Sequence, residues 1–193
     1  ILAVIPGSNL IAIGVISPFL TPLKMSLILA IYLALPYLLF KIWQFTAPAL
    51  YQHEKKLVLP LVISSTILFY AGLFFAFYIV FPVIFNFLSS VGPTSVEFAP
   101  DIQYYLDFIL KVSFAFGVAF EVPVATVLVV WAGLTDTKKL GKARPYVFLM
   151  AFVAGMFLTP PDIISQTLLA VPVYLLYELG IIMSKVFVIK ESA

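Results

Sequence analysis

Charge is scarce in this sequence. Only 10% of its 193 residues are Asp, Glu, Lys or Arg, against roughly 25% in an ordinary soluble domain. Hydrophobic residues make up 63% of the chain and the mean hydropathy is +1.15. A soluble domain of this length has too little interior to hide that much apolar surface, so the bulk of it faces lipid. Cysteine is absent, which excludes disulfides and thiolate metal sites. The single histidine, His53, argues against a Ser-His-Asp triad or a His-rich metal site. Phosphate-binding glycine loops, metal-ligand clusters, nucleic-acid patches and carboxylate pairs with a substrate cleft are all missing. These absences point away from an enzyme, with no catalytic set, no metal, no cofactor and no nucleic-acid partner expected.

What is present is apolar length. A membrane helix needs about 20 apolar residues to cross roughly 30 Å of hydrocarbon. Five stretches qualify as candidates, at about 22–45, 57–88, 104–132, 145–159 and 163–187. Turn chemistry or charge separates them: Ala47-Pro48 through Lys56, Ser89 through Asp101, Gly133 through Arg144, and Thr159-Pro160-Pro161-Asp162. The opening stretch 1–21 is interrupted at Pro6-Gly7-Ser8-Asn9 and Ser17-Pro18, and reads as an external loop at the interface, with an extra helix as the alternative. The fourth span is short, about 22 Å at 1.5 Å per residue. It must thin the bilayer or leave the Pro160-Pro161 turn submerged, unless its boundary is off by a turn. Prolines 36, 60, 82, 123 and 172 fall in or near the spans. The expected fold is therefore all-α, a polytopic membrane protein whose kinked transmembrane helices form a concave wall.

Basic residues orient the chain. If five spans alternate, Lys41, Lys55, Lys56, Lys138, Lys139, Lys142, Arg144, Lys185 and Lys190 share one side, and only Lys24 and Lys111 fall toward the other. The C-terminus is then cytoplasmic and the visible N-terminus outside. Five spans beginning outside, with Ile1 inside an apolar stretch, suggest an even-span protein seen without its first helix. Nothing resembles a cleavable secretory signal.

Glu121, in Phe116-Gly-Val-Ala-Phe-Glu-Val-Pro, lies about ten residues, or roughly 15 Å, past Lys111 and so near the midplane. A charged carboxylate there costs at least about 2.5–3.5 kcal/mol on insertion scales unless it is protonated or paired. Pro123 cannot donate to the Ala119 carbonyl, so a polar notch is expected beside the acid. Two uses are open: a functional intramembrane polar site, or a neutral Glu hydrogen-bonded between helices as glue. Glu54, in Tyr51-Gln-His-Glu-Lys-Lys, suits a first helical turn by its charge alone, or can grip an arginine through two parallel hydrogen bonds. Thr159 and Asp162 read as helix-start residues, with Gln166 one turn deeper as a buried amide wanting partners. Glu178, seven residues before Lys185, is expected to snorkel to the inner interface.

Several separated motifs then resemble one family. Phe45-Thr-Ala-Pro-Ala-Leu-Tyr-Gln-His-Glu-Lys-Lys, Phe116-Gly-Val-Ala-Phe-Glu-Val-Pro, Lys142-Ala-Arg-Pro-Tyr and Leu158-Thr-Pro-Pro-Asp-Ile-Ile-Ser-Gln look like TatC, the multi-spanning receptor of the bacterial twin-arginine protein translocase. The resemblance runs from about Ser17 to Lys185. It implies six helices in the family, the first missing here, in one domain over 1–193 of the bacterial cytoplasmic (inner) membrane. It also implies twin-arginine signal peptides of folded precursors as ligands, TatA- and TatB-like single-span proteins as partners, self-association in a larger complex, and proton-motive-force-driven export without nucleotide hydrolysis. By that resemblance Glu54, with Phe45, Pro48 and Tyr51, belongs to the signal-peptide site. Glu121 is the intramembrane polar residue, and Met156, Thr159 and Gln166 match a patch where a partner helix docks. The rival expectation is a proton-coupled small-solute transporter using Glu121 as a relay. Only one near-central acid and no internal repeat argue against that reading. A passive membrane anchor would need no buried glutamate.

Overall fold

Apolar runs set the helices of this chain, and two of its prolines, Pro82 and Pro123, mark where those helices change geometry. The computed structural model describes residues 11–14, 16–50, 58–91, 101–158 and 163–191. The helices are α1 (Ser17–Leu50), α2 (Val58–Phe75), α3 (Phe81–Val91), α4 (Ile102–Ala119), α5 (Val122–Trp131), α6 (Thr137–Leu158) and α7 (Ile163–Glu191). The fold is all-α, and among the described residues only an isolated bridge between Ile11 and Asp101 has strand-like pairing.

Two interruptions follow from proline. Between α2 and α3 the chain widens into a π-helical segment, Ala76–Val80, closed by the Phe81 N–H on the Ala76 carbonyl. Pro82 follows directly; its ring crowds the carbonyl four residues back, and a wider turn relieves that contact. Between α4 and α5 the chain turns at Phe120 and Glu121. There Pro123 has no N–H for Ala119, and the Glu121 N–H bonds Val118 at 3.0 Å, a tighter i−3 pairing. By contrast Pro145 and Pro172 sit inside continuous α6 and α7. The turn closing α5 needs Gly133, whose φ of +70° suits a residue without Cβ. Gly133 N–H reaches Val130 O at 3.0 Å and Leu134 N–H reaches Val129 O at 3.1 Å, which satisfies the last carbonyls of the helix.

Four stretches among the described residues are long and apolar enough to cross a membrane: Ser17–Phe45, Leu59–Phe87, Ile102–Trp131 and Gln166–Val186. Less than half of each is buried within the chain, and their outer faces carry Leu27, Leu33, Phe74, Tyr78 and Leu175 exposed. Such surfaces suit lipid. The first helix begins at Ser17, so residues 17–21 of the expected external loop are its opening turns. The expected short span 145–159 falls in α6, where Pro145 is preceded by two turns carrying Lys138, Lys139, Lys142 and Arg144.

The main core lies where the π segment and α3 meet α4. Ala76, Val80, Phe81, Ile84 and Phe85 pack on Tyr105, Ile109, Val112 and Phe116, with Leu169 of α7 closing the side. Phe85 and Tyr105 have ring centroids 5.4 Å apart, and Phe75 and Phe116 5.6 Å. This pairing of late residues with early ones makes α2–α3 and α4 antiparallel. A smaller cluster joins Leu35 and Leu39 of α1 to Phe69 of α2. Between helices in lipid such contacts hold by close packing and not by removal from water, which is why small residues mark the tightest crossings. Gly72 of α2 lies against the backbone of Phe116 and Gly117, and Gly180 of α7 against Pro123 and Thr126.

At the end of the bundle where α1 and α4 begin, a polar clasp ties residues 11–14 and α1 to α4. Asp101 caps α4 by accepting from Gln103 N–H at 2.7 Å, and it also accepts from Ile13 N–H at 3.0 Å. Ser17 donates to Gln103 at 2.9 Å, and Lys24 pairs with Asp107 at 2.9 Å.

Candidate functional site

Glu121 stands at the break between α4 and α5, and the reason is local: Pro123 ends the ladder there and α5 restarts with the proline near its first position. Both carboxyl oxygens are buried and neither has a hydrogen-bond partner among the described residues. The two ion pairs in the described part of the chain, Lys24–Asp107 and Arg144–Glu178, lie elsewhere. The Ser65 hydroxyl of α2 lies near the Glu121 carboxyl. No hydrogen bond of ordinary geometry joins the two. Ser65 is wholly buried, and its oxygen accepts from the Trp43 indole N–H of α1 at 3.0 Å.

The antiparallel register explains the meeting. Phe69 packs against Gly117; Ser65 is one turn before Phe69, and Glu121 one turn after Gly117. An unpartnered buried carboxyl can give or take a hydrogen bond, so the site can hold a polar group within an apolar wall. No group of three His, Cys, Asp or Glu side chains among the described residues is placed to share a metal ion.

The other expected site residues divide. Met156 is exposed on α6, beside Gly155, and Gly155 is where α7 comes close: a Cβ there would stand 3.5 Å from Gln166 Cα. Met156 and Gln166 are thus at one crossing, with Gln166 half-buried. Thr159 lies outside the described residues, as do Tyr51 and Glu54. Phe45 is 86% exposed near the end of α1, which leaves its ring free of the fold. Pro48 lies in α1, and its side chain is outside the description. Glu121 is not hydrogen-bonded to Gln166.

Sequence reading missed three polar contacts. Glu178 does not simply snorkel: Arg144 of α6 grips it with Nε to Oε1 at 2.7 Å and Nη2 to Oε2 at 2.8 Å, and the Tyr174 hydroxyl donates to Oε1 at 3.0 Å. The spacing to Lys185 gave no sign of this, because the partner comes from another helix. Ser65 and Trp43 were also missed. The one available signal was Ser64-Ser65-Thr66, three hydroxyls in a row inside a largely apolar run. The clasp of Asp101, Gln103 and Lys24 joins segments more than eighty positions apart and left no local trace.

The comparisons with known proteins agree with one another. Residues 2–172 match the family model described as TatC, Sec-independent protein translocase protein. The chain is 52% identical over 191 residues to the Sec-independent protein translocase protein TatC of Haemophilus influenzae, covering 98% of this chain and 75% of that one. It is 50% identical over 182 residues to the protein of the same name from Escherichia coli K12, covering 94% and 70%. A crystal structure described as the twin arginine translocase receptor TatC in DDM superposes with a TM-score of 0.84 at 36% identity, covering 93% of this chain and 80% of that one. With the motifs, the helical fold and these matches in agreement, this chain belongs to the TatC family of Sec-independent protein translocase proteins.

Proposed function

We propose that this chain is the receptor and core subunit of a twin-arginine protein translocase. It binds the signal peptides of folded precursors at the cytoplasmic face and organises TatA- and TatB-like single-span partners for export driven by the proton-motive force. The observation that carries this reading is family membership over most of the chain, joined to a solved relative described as a twin-arginine translocase receptor. The relatives are named as protein translocase proteins, which supports a non-enzymatic role and leaves the proton-coupled transporter reading without support.

In this reading Glu54 holds the signal arginines through charge-assisted, bidentate hydrogen bonds, with Phe45, Pro48 and Tyr51 shaping the site. The exposed ring of Phe45 suits a contact surface. Met156, Thr159 and Gln166 receive a partner helix; an exposed Met and a half-buried amide at one crossing suit such a contact. Glu121 serves the assembly from within the membrane. The chain sits in the bacterial inner membrane with its C-terminus in the cytoplasm, as the nine-to-two split of basic residues supports. The test is Glu54→Ala in the full-length protein with a crosslinkable signal peptide. Loss of the crosslink is the expected result, and an unchanged crosslink refutes the role of Glu54.

A further inference from the structure

Ser65 is the least expected residue of the interior, a hydroxyl with no exposure at all on a helix of mostly apolar side chains. A serine hydroxyl has one proton and two lone pairs. Ser65 Oγ already accepts the Trp43 indole N–H at 3.0 Å. That bond occupies a lone pair and leaves the hydroxyl's own proton to be given to an acceptor. One turn along the same antiparallel crossing stands Glu121, whose two oxygens are buried and unpartnered. The crossing itself is close, because Gly72 and Gly117 bring the α2 and α4 backbones together on the neighbouring turns. A buried acceptor without a donor is costly, and a hydroxyl turned toward it removes that cost.

We propose that Ser65, oriented by Trp43, is the positioning residue of Glu121. Its O–H donates to the Glu121 carboxyl and completes a polar relay through three helices, from the Trp43 indole through the Ser65 hydroxyl to Glu121. The relay ties α1 and α2 to the break between α4 and α5. A single hydroxyl engages one carboxyl oxygen and leaves the second in a fixed direction. The inference concerns the interior of this chain and stands apart from the translocase reading.

The test uses the full-length protein in lipid. Glu121→Gln removes the Glu121 carboxyl stretching band from the infrared spectrum and so assigns it. Ser65→Ala should shift that band to the position of a carboxyl with one hydrogen bond fewer, and Ser65→Thr, which keeps the hydroxyl, should return it. In a Trp131→Phe background Trp43 is the sole tryptophan, and its emission should change in Ser65→Ala but not in Ser65→Thr. Export by the assembled translocase should fall several-fold in Ser65→Ala, while in a Glu121→Ala background Ser65→Ala should add nothing. An unmoved Glu121 band in Ser65→Ala, or an equal loss of export in both backgrounds, overturns the proposal. The infrared measurement needs neither precursor nor partner, so its failure is distinct from failure of the translocase reading.

Discussion

Gly72→Ala is a one-carbon probe of the crossing that brings Ser65 to Glu121. An added Cβ would stand 2.6 Å from the Phe116 carbonyl oxygen and 3.0 Å from Gly117 Cα, where ordinary contact begins at 3.4 Å. Helix α2 must therefore retreat by about 0.8 Å, because the obstacles are backbone and have no rotamer to change. Overpacking of this kind costs about 1–3 kcal/mol, and the better helix propensity of alanine returns up to ~1 kcal/mol. The net expectation is a loss of about 1–2 kcal/mol, or a thermal midpoint lower by about 2–8 °C for a chain of this size. Two comparisons isolate the cause. At Gly117 the added Cβ meets the ring of Phe69, a side chain, so Gly117→Ala should be destabilising and Phe69→Leu should recover part of the loss. At Gly141 nothing lies within 4 Å, so Gly141→Ala should be neutral or slightly stabilising. Thermal unfolding of the three glycine variants, and of Gly72→Ala and Gly117→Ala each combined with Phe69→Leu, in one detergent is the assay. Equal midpoints for Gly72→Ala and Gly141→Ala refute the packing argument. Rescue of Gly72→Ala by Phe69→Leu, as full as that of Gly117→Ala, would place the obstacle in a side chain and refute it equally.

Other predictions concern polar contacts. At Glu121, Glu→Gln should keep most export and Glu→Ala should lose more, since an amide preserves hydrogen bonding; equal losses in an export assay would point to proton chemistry instead. Arg144→Ala should loosen α6 from α7 by about 0.5–1 kcal/mol in thermal unfolding, the upper range for a pair as open to solvent as this one, and the double exchange Arg144→Glu with Glu178→Arg should recover part of it. The Asp101 carboxyl is held below its ordinary range, first by the Ile13 N–H and then by the Gln103 N–H. A lowered folded value means that the clasp stabilises fully above the ordinary carboxylate pKa, near 4, and fades as pH falls through the lowered value. Hydrogen exchange at the Ile13 amide should therefore be slow at neutral pH and lose protection only in stronger acid. Asp101→Asn should remove that pH dependence.

Much of this molecule is fixed by composition and spacing. A hydrophobic content of 63% with so little charge leaves no soluble interior large enough, so long apolar helices follow from solvent alone. Proline places the π turn before Pro82 and the break before Pro123, because each removes a donor and crowds a carbonyl at a known offset. Glu121 is conspicuous because an acid in an apolar run is expensive wherever that run lies. None of this reveals a partner contributed by another helix. Arg144 and Glu178 are thirty-four positions apart, Trp43 and Ser65 twenty-two, and Ile13 and Asp101 eighty-eight. Their meetings depend on which faces the antiparallel helices present and how closely glycine lets them approach. Periodicity assigns a residue to a face, but helices immersed in lipid are apolar all round, so the pattern that would orient them is faint. Sequence alone singled out Glu121 as an acid that is costly in lipid unless protonated or paired. Only the crossing of α2 and α4 at Gly72 and Gly117 decided that Ser65 is the group brought to it.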